Sequence, residues 1–139
     1  MDSRILEQLI GELVVTNDML VVIDSGGAVA EMHARGLAKS DFDDGWAIVE
    51  AEGWHVHLNM KTVDEAQFVE AEDSYHDFPK LYYVRLSDAP GNTLIRFYFP
   101  NPWLDENEKR TEFQPERLKF FEDFRDRYVG EGQIVFVQR

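Results

Sequence analysis

Leu81-Tyr82-Tyr83-Val84-Arg85-Leu86-Ser87, the connector Asp88-Ala89-Pro90-Gly91-Asn92, and Thr93-Leu94-Ile95-Arg96-Phe97-Tyr98-Phe99 form the stretch that decides the fold. Two runs rich in aromatic and β-branched residues flank a short segment of turn formers, which is the pattern of a β-hairpin. Side chains alternate across a strand. Tyr82, Val84 and Leu86 therefore oppose Leu81, Tyr83 and Arg85, and Ile95, Phe97 and Phe99 oppose Leu94, Arg96 and Tyr98. Each strand carries one arginine beside aromatic rings. Pro100 and Pro102 then stop the sheet.

On the N-terminal side, Trp46–Glu52 and Trp54–Lys61 read as two strands joined at Gly53. In the second, Trp54, Val56, Leu58 and Met60 share a core-facing side, while His55, His57 and Asn59 share a polar but uncharged one. Met19–Asp24 and Ala28–His33 read as another hairpin around Ser25-Gly26-Gly27, whose glycines supply the positive φ of a tight turn. The glycine pair lacks the spacing and following helix of a phosphate loop. Ile5, Leu6, Leu9, Ile10 and Leu13 recur at helical spacing, with Asp2 or Ser3 as the cap.

The acidic stretch Gly36–Gly45 reads as an exposed loop or short helix. Its aspartates do not follow the twelve-residue calcium-loop pattern. Thr62-Val63-Asp64-Glu65 has the form of a capping box opening a short helix, and Phe68–Tyr75 reads as a strand. Trp103–Phe113 is charged and carries a helical turn in this reading. Pro115 opens a long helix with Leu118, Phe121, Phe124, Arg125 and Tyr128 on one stripe, ended by Gly130 and Gly132. Gln133–Val137 reads as a last short strand. The order predicts an α+β fold with a mostly antiparallel sheet.

The chain has 139 residues, 44% of them hydrophobic, which suits a single domain over 1–139 with a sizeable core. Its 27 acidic residues against 14 lysines and arginines give a formal charge of −13. Such a surface repels phosphate backbones and anionic lipid, so no nucleic acid and no membrane are expected as partners. Absence of cysteine excludes disulfides, thiolate metal sites and a cysteine nucleophile. With no long apolar run and no basic leader, a cytoplasmic location is expected.

Imidazole ligates haem iron and zinc and moves protons near neutral pH, which makes His57, with His55 beside it, the first candidate. A metal held there would need a further ligand, for which His33 or His76 would have to fold close. In Tyr75-His76-Asp77, Tyr75 or His76 can serve as an axial ligand, with Asp77 orienting the imidazole. Arg85 and Arg96, among Tyr83 and Tyr98, can clamp carboxylates while the rings cover a flat apolar ligand. The alternative is that they neutralise nearby acids and cover the sheet with their stems. No serine sits in a G-x-S-x-G elbow and HEXXH is absent.

Val21-Val22-Ile23 with its glycine turn, Trp54-His55-Val56-His57-Leu58-Asn59, and the pairing of Leu81-Tyr82-Tyr83-Val84 with Leu94-Ile95-Arg96-Phe97-Tyr98-Phe99 together resemble the haem-utilisation proteins of the ChuX/HutX and HemS type. The resemblance spans residues 5–129, including the long helix. It implies a saddle-like antiparallel sheet flanked by N-terminal and C-terminal helices, haem or tetrapyrrole binding in a cleft beside the sheet, a homodimer, and a role in intracellular haem handling. In the family a histidine sits in a strand comparable to Val56-His57-Leu58. The resemblance therefore implies His57 as the metal ligand and Arg85 and Arg96 for the propionates, with His76 in reserve. The acidic charge and the proline-bearing segment Phe99–Trp103 depart from the family's pattern.

Three readings follow. Haem or tetrapyrrole binding leads. A non-catalytic regulatory or protein-interaction module that has lost the ligand comes second. An enzyme acting on a small ligand or tetrapyrrole comes third, because it needs a substrate cavity plus a positioned acid–base group.

Overall fold

In the computed structural model, which describes residues 1–34, 38–73 and 79–139, helix α1 (Ser3–Val14) begins the fold. Asp2 caps it, accepting from the Arg4 and Ile5 amides at 2.8 and 3.3 Å. Strands β1 (Leu20–Asp24) and β2 (Val29–His33) make the first hairpin. Strands β3 (Lys39–Asp43), β4 (Trp46–Ala51) and β5 (Trp54–Asn59) form a three-stranded antiparallel sheet. After a 3₁₀ turn (Met60–Thr62) come β6 (Glu65–Glu72), β7 (Lys80–Ser87), β8 (Thr93–Tyr98), helix α2 (Pro115–Tyr128) and β9 (Ile134–Gln138).

The larger sheet has six strands in the order β2-β1-β8-β7-β6-β9. Its pairings are antiparallel except for β9, which lies parallel to β6 with Ala66 opposite Ile134. The fold is α+β with a mostly antiparallel sheet, as the element order predicts.

One side of each sheet faces a shared core. The large sheet contributes Val21, Phe68, Val84 and Phe97, and the small sheet contributes Ala47, Val49, Val56 and Leu58. From α1 come Leu6, Leu9, Ile10 and Leu13, and from α2 come Phe121, Phe124 and Tyr128. The alternation read from the sequence holds. Val56 and Leu58 are buried while His55 and His57 are exposed. On α2, Phe121, Phe124 and Tyr128 are buried and Phe120 is 42% exposed.

Three local expectations are corrected. Lys39–Asp43 is a strand and not a loop or helix, pairing with β4 from Lys39↔Glu50 to Asp43↔Trp46. Its acids alternate to the solvent side, and Asp44 (φ 49°) and Gly45 (φ 81°) close the hairpin with the left-handed pair that a two-residue turn demands. The capping box at Thr62 does not form. Asn59 caps the 3₁₀ turn by accepting from the Lys61 amide at 3.1 Å, Thr62 donates its hydroxyl to the Asn59 carbonyl at 2.7 Å, and Glu65 begins β6. Trp103–Phe113 holds turns and a single bridge, Leu104 to Arg110, in place of a helical turn.

Candidate functional site

The outward side of the large sheet carries a cleft of about 560 Å³, inside the roughly 300–1,000 Å³ range of small-molecule sites. Its floor is the β1–β8 pair, where Leu20 stands opposite Tyr98 and Val22 opposite Arg96. The edge strand β2 supplies one wall through Val29, Glu31 and His33. The opposite wall is the segment that leaves β8, reaching the cleft with Leu104, Glu106 and Glu108. Across the mouth, His33 Nε2 lies 3.3 Å from Glu108 Oε1.

The second wall is irregular backbone, and side chains pin it. Asn101 is buried, donates its amide to the Lys80 carbonyl at 2.8 Å, and accepts from the Trp103 amide at 2.9 Å. Arg117 reaches from α2 to the Asn101 carbonyl at 3.1 Å and pairs with Asp18 at 3.2 Å. Trp103 packs on Phe113 with ring centroids 5.1 Å apart. At the tip, Asp105 Oδ1 accepts from the amides of Asn107 (2.8 Å) and Lys109 (3.0 Å), bonds that hold its carboxyl below the usual carboxylate range.

Arg96 and Tyr98 line this cleft. Among the described residues no carboxylate forms an ion pair with Arg96, whose guanidinium lies 5.9 Å from the Tyr83 ring centroid. Burial pushes the Tyr98 phenol above its ordinary value, so Tyr98 is neutral at physiological pH. Tyr83 is buried against Tyr98, ring centroids 4.8 Å apart, and its lining neighbours are Val69 and Ala71.

The remaining sequence candidates stand elsewhere. Arg85 faces Arg96 across the β7–β8 pair but gives its N–H groups to Gln67, Thr93 and the Gly91 carbonyl, tying three segments of the sheet together. Burial first, then Arg139 and Arg96, lower its pKa. His57 lies on the open face of the small sheet, opposite Ile48, with the His55 ring 5.2 Å away, and it does not line the cleft. His76, with Tyr75 and Asp77, lies outside the described residues.

Three contributors carry little signal in the sequence. His33 entered only as a remote third ligand, although β2 alternation puts it on one face with Val29 and Glu31. Arg117 and Glu108 carry no local signal, because their roles depend on where the segment after β8 docks. Among the described residues no group of three histidine or acidic side chains is placed to hold a metal ion by itself, and no helix is long and apolar enough to cross a membrane.

Comparison with solved structures finds this architecture elsewhere. A protein from Agrobacterium tumefaciens superposes with a TM-score of 0.70 at 18% identity, over 93% of this chain and 70% of that one. ChuX superposes with a TM-score of 0.69 at 9% identity, over 88% and 71%. A second structure, of the haem-binding protein ChuX, gives 0.66 at 8% identity, over 87% and 70%. At these identities the likeness is one of fold. No curated protein matches the chain in sequence. A family model matches residues 7–129, and the chain belongs to that family, which is related to the ChuX/HutX type.

Proposed function

We propose that this protein binds haem or a related tetrapyrrole, in intracellular haem handling in the cytoplasm, and that the ligand sits in the cleft on the β2-β1-β8 side of the large sheet. One observation carries the reading. Arg96, which has no carboxylate partner among the described residues, stands beside the Tyr98 ring on an otherwise apolar floor of Leu20 and Val22. A flat macrocycle covers such a floor, and Arg96 holds a propionate with charge-assisted hydrogen bonds.

The cleft's acids fit this better than their number suggests. Asp18 is paired with Arg117, Glu108 with His33, Asp105 with backbone amides, and Asp24 accepts from the Gly26 amide at 2.8 Å. Four of the six carboxylates along the cleft are thus committed to protein partners, which leaves Glu31 and Glu106 facing a ligand. The His57 face offers exposed imidazoles with no wall among the described residues, so a haem attached there would keep most of its apolar surface in water. Leu20, Val22, Tyr98 and Arg96 would hold a haem, which would supply redox-active iron. The chain's residues bind, orient and partly desolvate it.

The fold supports the reading, since a ChuX neighbour is a haem-binding protein. Exposed Val135 and Phe136 on the edge strand β9 support a homodimer, which sedimentation across a wide concentration range tests. The test of function is titration of the purified protein with hemin. A saturable, stoichiometric Soret shift is expected, and Arg96→Ala should weaken binding without changing the ligation spectrum. Linear, unsaturated uptake would hand the lead to the interaction-module reading.

A further inference from the structure

We propose that the cleft recognises a tetrapyrrole by its carboxylate and its ring, and takes the metal-free macrocycle as readily as the iron-bearing one. The inference rests on the haem reading above and widens its ligand class.

Two rows of outward side chains cross the large sheet. One is His33, Leu20, Tyr98 and Tyr83, and the next is Glu31, Val22, Arg96 and Arg85. Strand β1 runs midway between β2 and β8, whose backbones stand two strand spacings apart, about 10 Å. The centre of a macrocycle lying flat across these three strands therefore falls over Leu20 and Val22. Both side chains are hydrocarbon. On the sheet side they offer a metal no lone pair, and they gain from covering the ring whatever its centre holds.

The polar groups at the borders have other work. His33 Nε2 lies 3.3 Å from the Glu108 carboxylate across the mouth, and Nδ1 stands beside the residue's own backbone. That backbone is fixed from two sides. The Trp54 indole donates to the His33 carbonyl at 3.1 Å, and the Ala34 amide donates to the Met19 carbonyl at 2.9 Å. The imidazole thus joins the two walls at the rim and stays off the ring's axis. Tyr98 stacks on Tyr83, and burial keeps its phenol protonated, whereas iron takes tyrosine as the phenolate. His55 and His57 belong to the small sheet, outside the cleft.

The carboxylate has a built partner. Arg96 stands directly across from Arg85 on the neighbouring strand. Arg85 gives its N–H groups to Gln67, Thr93 and the Gly91 carbonyl, all neutral acceptors. Like charges set opposite one another destabilise a sheet, so an anionic group held by Arg96 relieves the pair. Recognition then lies in a charge-assisted bond at one border and apolar contact over the floor.

The test uses the whole chain with two probes, hemin and metal-free protoporphyrin. Kd is measured for each by quenching of tryptophan fluorescence, and absorption spectra are recorded for bound hemin. The two Kd values should agree within about fivefold, and the hemin spectrum should carry no imidazole signature. Arg96→Ala, shown to be folded by circular dichroism, should weaken both probes by about tenfold. Protoporphyrin binding weaker than hemin by more than that fivefold margin overturns the inference and leaves the haem reading standing. So does an imidazole-ligated hemin spectrum that His33→Ala, His57→Ala or His76→Ala abolishes. If neither probe saturates, the haem reading falls and this inference falls with it.

Discussion

The outward faces of the two sheets are built from similar residues and differ in what stands around them. On the small sheet, His55, His57 and Trp46 project from exposed strand positions, with no enclosing segment among the described residues, and Trp46 is 43% exposed. On the large sheet, His33, Arg96 and Tyr98 project from strands that a docked segment overlooks, and the result is a cleft. Side-chain chemistry alone does not distinguish the faces. Enclosure does, because it removes water from a ligand's apolar surface and gives its polar groups fixed partners. The enclosing segment depends on Asn101, whose side chain ties it to the Lys80 carbonyl.

That dependence supplies the largest expected effect. Asn101→Ala leaves the Lys80 carbonyl and the Trp103 amide without their partner inside the protein, at a cost of about 2–3 kcal/mol. Urea unfolding should show that loss, and hemin affinity should fall as the wall loosens and the large-sheet face comes to resemble the small-sheet one. Unchanged affinity in a folded Asn101→Ala protein would mean that the wall does not define the site. Next comes Arg96→Ala, for which about a tenfold loss of hemin affinity is expected, roughly 1.4 kcal/mol, with the unfolding midpoint unmoved.

The carboxylates of the two sheets give a finer contrast. Glu70 on β6 accepts from Gln138 of β9 and from Lys80 of β7, both at 3.0 Å, and lies mostly out of water. Those partners, Gln138 first, hold its pKa below the ordinary carboxylate value. A group whose folded pKa is depressed adds stability above its unfolded pKa, and that stability is lost as pH falls through the folded value. Glu70→Gln should therefore cost about 1 kcal/mol at neutral pH, with the difference from the parent vanishing below the carboxylate range. Glu50 on the small sheet pairs with Lys39 at 3.1 Å, but both side chains are largely in solvent. Glu50→Gln should give no measurable loss by the same unfolding assay, the smallest effect of the set.

Much of the fold was legible because alternation and helical spacing are local. The α1 stripe, the β4–β5 pair and the β7–β8 hairpin each announce themselves within about twenty residues. Lys39–Asp43 was misread because acids on its solvent side look like a solvated loop, even though Asp44-Gly45 is a strong signal for a two-residue hairpin turn. Half of the site was legible for the same local reason. Arg96 and Tyr98 follow from the alternation of one strand. The rest was not, since Glu108 meets His33 across 75 positions of sequence by way of the Asn101 and Arg117 contacts. Nor does alternation show that Arg85 is already spent on Gln67, Thr93 and Gly91.

The parallel strand β9 has a consequence for how the molecule assembles. Its register sets Ala66 against Ile134, so the two strands join across a loop that contains β7, β8 and α2. Antiparallel neighbours such as β7 and β8 meet after a short hairpin closure, whereas β9 must wait for a much longer one and gains its hydrogen bonds only afterwards. Until residues 134–138 arrive, β6 is the bare border of a five-stranded sheet. During that interval its Phe68-Val69 backbone is open to any extended segment, and the rate at which β9 docks sets how long the chain is exposed to mispairing with its own copies.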